Sequence, residues 1–194
     1  MVADTVANAI AYGLLLAVLG VAAYTDWKSQ IVYNWLTYPT IIVGFLYWMI
    51  WRWAQAGSFD GALTGLAAAG IGFAAGFFPF ALIFVMGGLG GGDVKVMGAV
   101  GALSASWEAV LGTAVYGLGI GLLMAVYVMI RHGLVKQTAK RLSTSALLIL
   151  SKSKPQFPDD SPKIPLGVAF KIGFIFAGLE NMLHIQFPWT RYFG

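Results

Sequence analysis

Six apolar stretches, at about 5–25, 36–56, 61–87, 93–107, 109–130 and 164–186, take up most of this chain. An α-helix needs ~20 residues to cross the hydrocarbon layer, and apolar runs of this length are the sequence signature of such helices. Inside lipid every backbone polar group must be paired within the segment, which a helix achieves and an irregular chain does not. The pattern therefore predicts an all-α, polytopic membrane helix bundle of about six transmembrane helices, the fourth short and glycine-rich. With 194 residues in all, such a bundle leaves no room for a separate soluble domain, so residues 1–194 are expected to form one integral-membrane domain. Composition points the same way. Charged residues make up 10% of the chain, against ~25% in an average soluble domain.

The net charge of +4 does not mark a nucleic-acid partner, because the basic residues are spread between the apolar runs. They report topology instead. With the first helix running inward, Lys28, Lys95, Arg131, Lys136, Lys140, Arg141, Lys152, Lys154, Lys163 and Lys171 fall on or near one side. Arg52 and Arg191 are left on the other, together with Asp4, Asp60, Glu108 and Glu180. The positive-inside rule then predicts N-terminus out, C-terminus out and a cytoplasmic loop at 131–163. The first run has no basic segment ahead of it and is followed by Lys28, so it is expected to be a retained span rather than a cleaved signal. The 131–163 loop opens as a basic stretch suited to anionic lipid headgroups and continues as a proline- and aspartate-containing linker. Pairs at Gly61/Gly65, Gly72/Gly76 and Gly117/Gly121 are expected to let helices pack closely.

The chain has no cysteine, which excludes disulfides, thiolate metal sites and thiol nucleophiles. Its two histidines, His132 and His184, are too far apart in sequence to form a helical metal-ligand motif. Acidic chemistry remains. Asp26 ends the first apolar run and Asp93 follows the third through G-G-L-G-G-G, so the topology puts both at the cytoplasmic end of the bundle. A carboxylate next to hydrocarbon is costly, and its presence there points to function. The glycines before Asp93 cannot sustain a helix, and they would let a peptide backbone come close to the carboxylate. Two carboxylates in one site cannot both ionise easily, so one keeps a proton while the other acts as base toward water. Asp26 closes a helix and Asp93 opens one, which by the helix dipole assigns the proton to Asp26.

At these residues the chain resembles the type IV prepilin peptidases, polytopic G-x-G-D aspartic proteases. The matching segments are D-W-K-S-Q-I-V-Y-N-W-L-T-Y-P from Asp26, G-L-G-G-G-D-V-K-V-M-G-A-V-G-A-L from Gly88, and I-P-L-G-V-A-F-K-I-G from Ile164. The resemblance implies that Asp26 and Asp93 are catalytic and that Gly90, Gly91, Gly92, Lys28, Lys95, Asn34 and Pro165 support them. Asn34 would orient or cap the helix that follows. Where the family often has proline before that asparagine, this chain has Tyr33. Large members of the family carry a Cys-rich cytosolic insertion and also N-methylate their product. This chain lacks cysteine, and its second run begins close after Asp26. It therefore resembles the short, peptidase-only branch serving Flp or Tad-type pili.

On that resemblance the expected partners are a pilin precursor, with its basic leader and apolar helix, and the lipid bilayer. The expected location is the cytoplasmic membrane with the site facing the cytoplasm. General acid-base hydrolysis by two aspartates requires no cofactor or metal. Two other readings remain at this stage: a small transporter or proton pathway built on the same carboxylates, and an inactive homologue within a secretion machine. Transporter sites usually lie near the bilayer midplane, whereas these aspartates are expected at one edge.

Overall fold

The computed structural model describes residues 2–133 and 165–183. They form six helices and, among the described residues, no strand: α1 (Val2–Ser29), α2 (Asn34–Ala56), α3 (Phe59–Val85), α4 (Gly91–Ser104), α5 (Trp107–Arg131) and α6 (Leu166–Leu183). Most of the basic loop expected at 131–163 lies outside the described residues.

Each apolar run carries a helix among the described residues, and α1, α3 and α5 are both long and apolar enough to cross a membrane. The remaining three differ. α2 has the length but a more polar, aromatic-rich sequence, and the apolar part of α6 is shorter. α4 departs furthest from the expected set of spans. Its 14 residues rise only about 21 Å, less than the ~30 Å hydrocarbon thickness. Val94 and every residue from Val96 to Ser104 are buried, so α4 is the central core helix around which the others stand.

Helices in lipid gain little from the hydrophobic effect and associate through close backbone packing. The spaced glycines do this work here. Gly72 of α3 and Gly101 of α4 face each other so closely that a Cβ on either would strike the other's backbone. Gly76 lies over Met97 and Gly98 in the same way, and Gly44 of α2 over Ala102 and Leu103. Gly61 and Gly65 meet α2 at Arg52 and Trp48, while Gly117 meets Phe170 of α6. Beside these contacts the Trp48 indole N–H donates to the Leu103 carbonyl at 2.8 Å, satisfying a polar group that burial would otherwise strand.

α1 packs on α6 and α4 through a buried stripe of Ala7, Ala11, Leu15, Leu19 and Ala22, spaced three or four residues apart as one helix face requires. The next position on that face is Asp26. At the opposite end of α1, Arg52 lies 3.3 Å from Asp4 and the Tyr47 hydroxyl donates to the Ala7 carbonyl at 2.9 Å. These contacts join the start of α1 to the end of α2. The other end of the bundle thus gathers the end of α1 and the starts of α2, α4 and α6.

Candidate active site

Asp26 is buried, at 9% exposure, because it continues the core-facing stripe of α1. One turn later the helix stops. Gln30 has φ 54, and its N–H donates to the Asp26 carbonyl at 2.9 Å, which is the left-handed stop that glycine usually provides. The Asp26 carboxylate is met from the far side by α6, whose Gly167 N–H donates to Oδ2 at 2.7 Å. Pro165 stands just before α6, and its carbonyl accepts the Val168 N–H at 3.2 Å, so it opens the helix that delivers Gly167. Glycine suits this close approach: a Cβ on residue 167 would lie 3.0 Å from Asp26 Oδ2 and 3.1 Å from its Cβ, so one of the two must give by a few tenths of an ångström.

Asp93 arrives by a different route. α3 ends with Gly87 left-handed at φ 80, and two hydrogen bonds close the helix, Gly87 N–H to the Phe84 carbonyl and Gly88 N–H to the Ile83 carbonyl, both at 2.9 Å. This is a Schellman stop, and it explains why the glycine run breaks the helix there. α4 restarts after Gly90, whose N–H donates to Asp93 Oδ2 at 3.2 Å. Asp93 is also 9% exposed. Gly92 admits a close neighbour, which is the Val32 side chain and not a peptide backbone reaching the carboxylate: a Cβ on Gly92 would lie 3.0 Å from the Val32 Cβ. The α1–α2 connection therefore packs directly against the start of α4.

The two carboxylates line one open cavity of about 270 Å³, together with Gln30, Ile31, Val32, Gly90, Gly91 and Gly92. Buried acids sharing a water-accessible cleft can divide the roles of base and acid. The helix-end argument for which of them holds the proton does not carry over. Asp26 ends its own helix, but it also accepts an N–H from the first turn of α6, so both acids lie at helix N-termini and the dipole asymmetry is offset.

Of the supporting residues inferred from sequence, the three glycines line the cavity and Pro165 acts through Gly167. Lys95 and Asn34 meet each other: the Lys95 ammonium donates to Asn34 Oδ1 at 2.7 Å, and it also stands 5.2 Å from the centre of the Tyr38 ring. This contact joins the two aspartate segments from outside the cavity. Lys28 takes no part in the cavity; it is exposed, 6.0 Å from the ring of Tyr24 on its own helix. Tyr33, in place of the family's proline, has φ −76 and ψ 137, which a proline would also adopt. Gln30, Ile31, Val32 and Gly167 are the site residues that sequence reasoning missed. For Gln30 the signal is a helix that must end one turn after Asp26 with no glycine or asparagine to end it. For Gly167 the signal is the glycine following Pro165.

Compared with known families, residues 13–129 match the type IV leader peptidase family. No curated protein and no solved structure matches the chain.

Proposed function

The chain belongs to the type IV leader peptidase family, and from that premise we propose that it is a membrane aspartic endopeptidase with Asp26 and Asp93 as its catalytic pair. Its substrates are type IV pilin-like precursors of the Flp type, cut at the cytoplasmic membrane face without subsequent N-methylation. The observation that carries this reading is two buried carboxylates, from separate helices, lining one open cavity at one end of the bundle.

One aspartate takes a proton from water as it attacks the scissile carbonyl carbon, and the other donates its proton to the carbonyl oxygen. Collapse of the tetrahedral intermediate breaks the C–N bond, with a proton passing to the leaving amine. The glycines at 90–92 put main chain on the cavity wall, with Asp93, Phe84 and Val32 packed against them. Tyr24, Trp27, Trp35 and Tyr38 are exposed on the helix turns around the site. Aromatic residues of this kind favour the membrane–water boundary, which supports cleavage at the membrane edge. Lys28 and Lys95 at that end fit a cytoplasmic orientation.

Co-expression with candidate pilin precursors tests the proposal. The wild-type chain should yield a leader-shortened product whose new N-terminus carries no methyl group by mass. Asp26→Asn and Asp93→Asn should each reduce processing by ~100-fold or more. Full processing by either variant refutes the pair, and ion flux without cleavage favours the carboxylate transporter instead.

A further inference from the structure

Among the eight described residues lining the cavity, Gln30 is the one with a neutral polar side chain; the others are the two aspartates, Ile31, Val32 and three glycines. An extended peptide entering such a cleft loses water from its N–H and C=O groups and needs replacement partners. The aspartates are committed to the reacting bond, and the apolar and glycine positions supply no side-chain hydrogen bond. A carboxamide supplies both a donor and an acceptor, matching the two polar groups of a peptide unit.

The backbone at this position sharpens the point. The described residues include five with left-handed φ, at Gln30, Gly57, Gly87, Ala105 and Gly133. Three are glycine, which adopts that conformation without strain, whereas a glutamine there is strained. Strain held at a functional site is a pointer to a role for the side chain. Gln30 is exposed, and its carboxamide makes no hydrogen bond to any described residue.

We propose that Gln30 is a substrate-binding residue, whose carboxamide hydrogen-bonds the main chain of the precursor beside the scissile bond. The inference rests on the peptidase reading. Its test uses the full-length protein in proteoliposomes with a cleavable precursor, measuring kcat, KM and thermal unfolding for Gln30→Gly and Gln30→Met. Gln30→Gly removes the side chain and relieves the backbone, so its unfolding temperature should equal or exceed the wild-type value. Gln30→Met keeps the length and the strain but loses the donor and acceptor. Both should raise KM about three- to tenfold, the amount one neutral hydrogen bond carries, with kcat little changed. Gln30→Asn, which keeps a shorter carboxamide and tolerates the left-handed backbone, should recover part of the loss. Wild-type KM in both Gln30→Gly and Gln30→Met would reduce Gln30 to a helix stop and overturn the proposal. A fall in kcat at unchanged KM overturns it too, because the group would then act on the transition state rather than in binding. A wild-type chain that cleaves no precursor overturns the peptidase reading and this proposal together.

Discussion

Replacing Gly167 by alanine should impair catalysis while leaving the fold intact. The new Cβ would stand 3.0 Å from Asp26 Oδ2, 3.1 Å from Asp26 Cβ and 3.3 Å from its Cγ. Oδ2 and Cγ can yield by rotation of the carboxylate, whereas Asp26 Cβ is fixed to the backbone of α1, so α1 and α6 must also give by a few tenths of an ångström, a shift the packing can absorb without unfolding. What the carboxylate gives up is the alignment of the 2.7 Å hydrogen bond from the residue 167 N–H. A hydrogen bond to a charged acceptor is worth ~1.5–3 kcal/mol. Stretching it rather than removing it should forfeit about 1–2 kcal/mol, or about five- to thirtyfold in kcat/KM. The assay is steady-state cleavage of a purified pilin precursor in proteoliposomes, with thermal unfolding measured in parallel. Gly13→Ala is the control, because a Cβ there meets nothing within 4 Å and alanine is the better helix former by ~0.5–1 kcal/mol. It should keep full activity and unfold no earlier than wild type. Undiminished kcat/KM in Gly167→Ala would refute the argument, since Asp26 would then owe nothing to the N–H of α6. A large drop in unfolding temperature would refute it differently, by showing that the packing of α1 and α6 cannot absorb the methyl group.

Tyr33→Pro should be tolerated and should raise stability by about 0.4–1 kcal/mol through the unfolded state, because residue 33 already has φ −76 and its N–H donates no hydrogen bond to the described residues. Loss of the Tyr33–Trp35 ring contact at 6.2 Å subtracts little at an exposed site, and a fall in unfolding temperature would show that Val32 cannot take the extended geometry required before proline. Asn34→Ala and Lys95→Met should show coupling of about 0.5–1 kcal/mol, or two- to fivefold in kcat/KM, since the two side chains are joined at 2.7 Å. Independent effects in that double-mutant cycle would mean the contact does not hold the aspartate segments in register.

The parts of this protein that were legible in sequence are those whose causes are local. The helices follow from apolar runs, and the break before Asp93 from glycines that end α3 by left-handed closure at Gly87. Asp26 could be linked to a helix end because the first apolar run stops there; the structure adds that the buried stripe of α1 from Ala7 to Ala22 reaches it next. α4 was harder to read. Apolar composition does not separate a helix surrounded by protein from one surrounded by lipid, since both environments exclude polar groups. What distinguishes α4 is its length and its glycines Gly98 and Gly101, packed against Phe73 and the α3 backbone.

The helix-end argument for a proton asymmetry was incomplete for a related reason. It considered each aspartate within its own helix, where Asp26 stands at an unfavourable C-terminal end. The group that changes this balance is the Gly167 N–H, contributed from 141 residues further along the chain, and no local pattern around Asp26 announces it. A carboxylate buried to 9% exposure at the end of its own helix would be poorly accommodated without a donor from elsewhere. The site is therefore a three-helix construction, in which α1 and α4 each bring an acid and α6 makes the first of them tolerable. On this argument a substitution on α6 that leaves both aspartates in place can still disable the pair.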